Sequence, residues 1–283
     1  MHNLDDIRLR RSVRTYKQRE ISPYDLERIT ECLDGIKVKK GPFSQEVDFS
    51  LLDLKQGDYV GTYGIIKNPP MYIGGTCHNT DKSLMDLGYL FEGLILDLTH
   101  LNLGTCWMAG TFKRERLRGK LEIKDDKILA AISPVGYTDD RRTLEVIMHK
   151  LVKADNRLKM SEILYFENLN KGISHCGIED LNQAFDMVRL GPSAANKQPW
   201  RMVLTREKDR VHFYLKADKK YEKALKFNVQ AIDLGISMYH FEFTLKSLGY
   251  GGRWLEDDPH LYTGNDTYMY GATYEIGTRE EEA

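Results

Sequence analysis

The sequence predicts an α+β protein made of two related halves around long central helices, and three observations lead there. First, the segment DLGYLFEGLILDLTHLNLGTCW, starting at Asp86, realigns without a gap on DLGISMYHFEFTLKSLGYGGRW, starting at Asp233, 147 positions on. Identities fall at Asp86/Asp233, Leu87/Leu234, Gly88/Gly235, Leu98/Leu245, Leu101/Leu248, Gly104/Gly251 and Trp107/Trp254. Second, the same run of element types surrounds each copy: amphipathic helix, strand, strand, long helix, strand. Third, 283 residues of which 41% are hydrophobic can bury a substantial core and exceed one small module.

Each element has its own justification. SPYDLERITECL and GIEDLNQAFDMV carry apolar residues at helical spacing near the start of each half, and a Gly-Pro follows each, Gly41-Pro42 and Gly191-Pro192. VDFSLLDL and WRMVLTR, then MYIGG and VHFYLKA, are rich in β-branched and aromatic residues and read as strands. The two repeated segments are apolar on most faces, so each predicts a buried central helix. A Gly-rich turn follows each and is expected to stop the helix in the left-handed conformation. ILAAISPVG and TYMYGATYEIG close the halves as strands. The basic stretch KLVKADNRLK, 150–159, is the expected linker, although an exposed polar helix fits it equally. The halves are then 1–150 and 151–283.

Composition narrows the function classes. The formal net charge is -1, with both signs interspersed, so there is no electrostatic footprint for nucleic acid. No apolar run reaches the roughly 20 residues that span a bilayer, and MHNLDDIRLRRSVRTY lacks a secretory apolar stretch. A cytoplasmic protein without nucleic-acid or membrane partners is expected. Cys32, Cys77, Cys106 and Cys176 form no C-x-x-C pair, so free thiols are expected rather than a disulfide framework or a metal site. G-x-G-x-x-G, G-x-x-x-x-G-K-[ST] and H-E-x-x-H are all absent.

Four stretches carry candidate chemistry. In Arg10-Arg11-Ser12-Val13-Arg14, the alternate residues Arg10, Ser12 and Arg14 share one side of an extended chain, where two guanidinium forks and a hydroxyl suit a phosphate monoester. In Gly191-Pro192-Ser193-Ala194-Ala195-Asn196-Lys197-Gln198-Pro199-Trp200, small residues admit a planar ligand. Ser193, Asn196 and Gln198 offer it donors and acceptors, and Pro199-Trp200 stiffens the exit. Gly104-Thr105-Cys106-Trp107-Met108-Ala109-Gly110 is a turn whose backbone N–H groups can face a ligand acceptor. Val135-Gly136-Tyr137, followed by Arg141-Arg142, ends a strand on a second basic pair.

Taken together and in this order, these stretches resemble the FMN-dependent nitroreductase family, and most of all its fused, internally duplicated members. The resemblance implies an α+β fold whose two-chain form is an intertwined homodimer with FMN between chains. It implies that Arg10, Arg11, Ser12 and Arg14 bind the FMN phosphate, with Arg141 and Arg142 as a second clamp of which either one makes the contact. The turn residues Trp107, Met108, Ala109 and Gly110 would line the flavin, with the amides of Ala109 and Gly110 directed at N5 and O4 as the catalytic donors. Pro192, Ser193 and Asn196 would be the contacts that a partner chain normally supplies. NAD(P)H would be the co-substrate, in a ping-pong hydride transfer to a nitroaromatic, quinone or similar small-molecule acceptor. Alternatives are a non-catalytic FMN store or sensor, or a flavin-consuming or dehalogenating relative.

The sequence departs from the family order in one respect. The position that should carry P-S-x-x-N-x-Q-P-W in the first half reads Gly41-Pro42-Phe43-Ser44-Gln45-Glu46-Val47-Asp48-Phe49, without the asparagine or the Q-P-W. The second half keeps that motif but starts ILYFENLNKGIS, without the arginines, and its G-Y-G-G-R-W turn runs into Leu255-Glu256-Asp257-Asp258. An acidic turn repels phosphate and anionic flavin. The halves are complementary, so the expectation is a monomer that acts as an intramolecular pseudo-dimer with one flavin site.

Overall fold

The computed structural model describes residues 2–53, 60–62, 64–118, 123–139, 157–218, 225–261 and 268–279. The chain divides into two compact units, Met1–Asp155 and Asn156–Ala283.

The first unit runs α1 (Leu4–Leu9), α2 (Pro23–Lys37), β1 (Val47–Asp53), β2 (Met71–His78), α3 (Asp81–His100), β3 (Gly104–Thr105), α4 (Arg114–Arg118) and β4 (Lys127–Gly136). Helix α2 starts where Ser22 Oγ accepts the Asp25 N–H at 3.1 Å and Pro23 occupies the first turn, where its missing N–H costs nothing. Helix α3 is capped by Thr80 and buries Leu87, Phe91, Leu94, Ile95 and Leu98 completely. The sheet order is β1-β2-β4-β3, antiparallel throughout. Strand β4 is buried along nearly its whole length, so it reads as a continuous apolar run rather than an alternating one. The amino-terminal segment lies along β3: Val13 N–H donates to the Thr105 carbonyl at 2.8 Å, and Val13 and Tyr16 join Tyr72, Met108, Leu129 and Ile132 in one cluster.

The second unit runs α5 (Met160–Ile163), β5 (Leu164–Phe166), α6 (Glu179–Leu190), β6 (Trp200–Leu204), β7 (Arg210–Lys216), α7 (Val229–Ser247), β8 (Tyr250–Leu255) and β9 (Tyr268–Arg279). Its sheet order is β5-β6-β7-β9-β8, with β5 parallel to β6 and the other pairs antiparallel. Without β5, this order matches the first unit strand for strand. The bulge recurs as well, between Gly75 and Thr76 in β2 and between Phe213 and Tyr214 in β7.

The expected helix, strand and central-helix segments are all present, so the protein is α+β, but the end of α3 differs from expectation. After α7 the left-handed residue is Gly249 (φ 86°), the first glycine of the expected turn, whereas after α3 it is Asn102 (φ 59°) and not Gly104. Asparagine tolerates this conformation, and the Leu103 N–H returns to the Leu98 carbonyl at 3.0 Å to close the helix. Gly104 belongs to β3 and is small for a different reason: a Cβ there would lie 2.8 Å from Thr138 Oγ1 and 2.9 Å from Val13 Cγ1. Among the described residues, no helix is long and apolar enough to cross a membrane, and no His/Cys/Asp/Glu group could hold a metal. All four cysteines are free.

Candidate functional site

In the first unit the extended segment after α1 runs beside Cys106, whose thiol feels Arg14, Ser12 and Arg10. Burial pushes that thiol up, and Arg14, a Ser12 hydrogen bond and Arg10 act against the shift. Arg14 is exposed and has no carboxylate partner among the described residues. The side chain of Arg10 is buried instead. Its Nε lies 3.7 Å from Glu92 Oε1, too far for a hydrogen bond, so it is an inward donor without an acceptor. Glu92 on α3 is fully buried, and its Oε2 accepts the Trp107 indole N–H at 2.6 Å. Arg10 therefore has part of its charge balanced before any ligand arrives, whereas Arg14 does not. Arg11 is half-buried beside them.

The turn after α3 is pinned to β4. Cys106 N–H donates to Ser133 Oγ at 3.1 Å, and Met108 exchanges both backbone hydrogen bonds with Ile132, at 3.0 and 2.9 Å. Beyond Met108 the chain leaves the ladder. Ala109 is half-buried, Gly110 is exposed, and neither N–H has an acceptor among the described residues. Unpaired amides at a turn are available to a ligand acceptor. Arg114 lies behind the turn and donates to the Ala109 carbonyl. Burial lowers the Arg114 pKa, with Glu115 opposing.

Tyr137 serves helix α2: its hydroxyl bonds Asp25 and accepts the Ser22 N–H, and Arg19 stacks over its ring at 4.0 Å. Arg141 and Arg142 lie outside the described residues.

In the second unit the loop after α6 is held from two sides. The Ala194 N–H donates to both carboxylate oxygens of Asp233 on α7, at 2.9 and 3.1 Å. Burial holds that carboxyl well above the ordinary aspartate range, and the Ala194 amide opposes the shift. On the other side Arg157 donates to the carbonyls of Leu190 (2.8 Å) and Gly191 (2.5 Å) and to Asn196 Oδ1 (3.0 Å). Between them, Ala195 (φ 47°), Asn196 (φ 54°) and Gln198 (φ 48°) are all left-handed. Non-glycine residues hold that conformation only when their surroundings over-determine it. Pro192 and Ser193 are half-buried and Asn196 is exposed. Gln198, read from sequence as a ring partner, is buried and braces the loop: its Oε1 accepts the Leu158 N–H and its Nε2 donates to the Asn196 carbonyl.

Sequence reasoning missed several residues. Arg157 sits in the stretch taken for a linker, and Glu92 and Arg114 carry no local motif. Asp233 did leave a signal: with Asp86 it is the first identity of the repeat. Asp86 does the same work in its own unit, accepting the N–H groups of Phe43 (3.0 Å) and Gln45 (2.7 Å) just after Gly41-Pro42.

Comparison with known proteins follows the same lines. Residues 3–245 match the family described as "Putative TM nitroreductase". No curated protein matches the chain. Among solved structures, the chain is similar to a nitroreductase-like protein from Thermotoga maritima at 17% identity and a TM-score of 0.58, over 98% of this chain and 93% of that one. An FMN-dependent nitroreductase from Clostridium difficile aligns at 20% identity and a TM-score of 0.42, over 49% of this chain and 89% of that one.

Proposed function

Because this chain belongs to the nitroreductase family, we propose that it is an FMN-dependent oxidoreductase that takes electrons from NAD(P)H and passes them to a nitroaromatic, a quinone or a similar acceptor. One observation carries the reading: among the described residues the Ala109 and Gly110 amides lack acceptors, on the same turn whose Cys106 feels the charges of Arg14 and Arg10 and a hydrogen bond from Ser12. This donor surplus fits a phosphorylated, acceptor-rich ring such as FMN. When bound, FMN would supply the two-electron chemistry.

The residues then divide the work. Arg14 and Arg10, with Ser12 and Arg11, hold the phosphate, and Arg141 or Arg142 adds a second contact. The Ala109 and Gly110 amides would donate to acceptors on the ring, and fixed amides of this kind need no reorganisation to do so. Trp107 and Met108 shape the ring's bed. Pro192, Ser193 and Asn196 are assigned to the ring and its side chain. The matching sheet orders and the Asp86/Asp233 equivalence support an internal duplication. With the unequal distribution of motifs, they favour one flavin per chain in a monomeric pseudo-dimer.

The test begins with the purified protein, which should be yellow and carry one FMN per chain. Arg14→Ala should weaken FMN binding about tenfold or more, as loss of a phosphate-pairing guanidinium does. Anaerobic NAD(P)H should bleach the flavin, and menadione should restore the colour. A colourless protein that takes up no added FMN refutes the reading. Retained flavin that NAD(P)H does not reduce replaces it with a storage or sensor role.

A further inference from the structure

We propose that Arg114 is a positioning residue for the flavin-facing amide of Gly110: it grips the far end of the same peptide group and so aims and polarises that N–H. The inference rests on the flavin reading above and adds a residue to it. The peptide between Ala109 and Gly110 is trans, because the described chain contains no cis bonds. In a trans peptide the carbonyl and the N–H lie in one plane and point in opposite directions. A donor that fixes the Ala109 oxygen therefore also fixes the direction of the Gly110 hydrogen. Arg114 Nη2 is that donor.

The guanidinium is itself firmly seated. Its Nε donates to the Leu129 carbonyl at 3.0 Å, its Nη2 lies 3.3 Å from the Ala130 carbonyl, and its carbon sits 4.6 Å above the Phe112 ring. Leu129 and Ala130 belong to β4, just past Ile132, where the Met108 pairing ends. The planar, multi-donor group thus continues the ladder that the turn has left, and it ties the turn to the sheet. A lysine, with one nitrogen, cannot span these carbonyls in the same way.

Two effects follow for a ligand acceptor at Gly110. The N–H is preorganised, so no rotation of the peptide is needed as charge develops. A cation on the carbonyl also draws electron density from the amide, which strengthens donation on the other side, as in any hydrogen-bond chain. Both effects grow with negative charge on the acceptor. With flavin O4 as that acceptor, which gains electron density but no hydrogen on reduction, Arg114 should therefore favour reduced over oxidised FMN while adding little to the affinity for the oxidised form.

The experiment compares wild type with Arg114→Gln and Arg114→Lys. Oxidised FMN affinity is measured by fluorescence quenching, and the reduced-to-oxidised affinity ratio by anaerobic equilibration with redox dyes; neither depends on turnover. Arg114→Gln should lower that ratio about tenfold while changing oxidised FMN affinity by less than about threefold. Arg114→Lys, which keeps the charge but cannot span the same carbonyls, should recover only part of the ratio. A parallel measurement on wild type covers the case in which the glutamine variant does not fold: the 15N-resolved Gly110 amide proton should move downfield on FMN reduction, and less so in Arg114→Lys. An unchanged ratio in Arg114→Gln, equal weakening of both redox forms, or a Gly110 amide indifferent to reduction overturns the assignment while the flavin reading stands. Wild type that binds no FMN removes both.

Discussion

Arg157 offers the sharpest test of how the second-unit loop keeps its shape. Its guanidinium closes the carboxyl end of α6 through the Leu190 and Gly191 carbonyls and holds Asn196 Oδ1. Charge-assisted hydrogen bonds contribute about 1.5 kcal/mol each at the lower end of their range, which suits a half-exposed group, so these bonds total roughly 4–5 kcal/mol. Truncation returns about 2 kcal/mol of arginine rotamer entropy and lets water reach the carbonyls. Arg157→Ala should therefore destabilise the second unit by about 2–3 kcal/mol. Arg157→Lys, which can keep one of the bonds, should cost about 1 kcal/mol less. The assay is urea unfolding followed by tryptophan fluorescence in a Trp107→Phe background, where only Trp200 and Trp254 of the second unit report. A loss below about 0.5 kcal/mol, or alanine and lysine variants that unfold alike, would refute the clamp, since that size is ordinary for a surface substitution.

Other outcomes follow from neighbouring geometry. Ala195 is exposed at φ 47°, so Ala195→Gly should relieve about 1–2 kcal/mol of left-handed strain, less the entropic cost of glycine; a lower melting temperature would contradict it. Asp233 has a folded-state pKa raised by burial, so the folded chain binds the extra proton. Stability from this group is complete below the unfolded carboxyl value near ~3.9 and declines as pH rises toward the folded one. Asp233→Asn should flatten the stability profile across that window, and unfolding curves with the wild-type slope at each pH would exclude the assignment. Gly104→Ala puts a methyl against Thr138 Oγ1 and Val13 Cγ1 and should cost about 1–3 kcal/mol, with faster amide exchange at Val13. Wild-type exchange there would show that the amino-terminal segment does not depend on this close approach.

Much of the architecture was legible because its signals are local. Helix α2 carries its own cap and proline, α3 and α7 carry apolar residues at helical spacing, and β1, β2, β6 and β7 carry β-branched and aromatic runs. The repeat exposed the matched pair of buried aspartates before either had a role. The short strands β3, β5 and β8 were not legible. Each exists only through its pairing with a neighbour, and β3 and β8 were taken for turns because their glycines read as helix stops.

The candidate site divides along the same line. The order of residues was sufficient to nominate the arginine-serine segment, the turn at 104–110 and the loop at 191–200, since residue type and spacing are properties of the chain. What those residues touch was decided only by folding. Arg10 turns inward to Glu92 while Arg14 stays in water, and Gln198 is consumed inside its own loop. Arg114 and Arg157, without any motif, hold the two segments in shape. A long cationic side chain reaches carbonyls several residues away, and only tertiary packing brings those carbonyls within hydrogen-bonding distance.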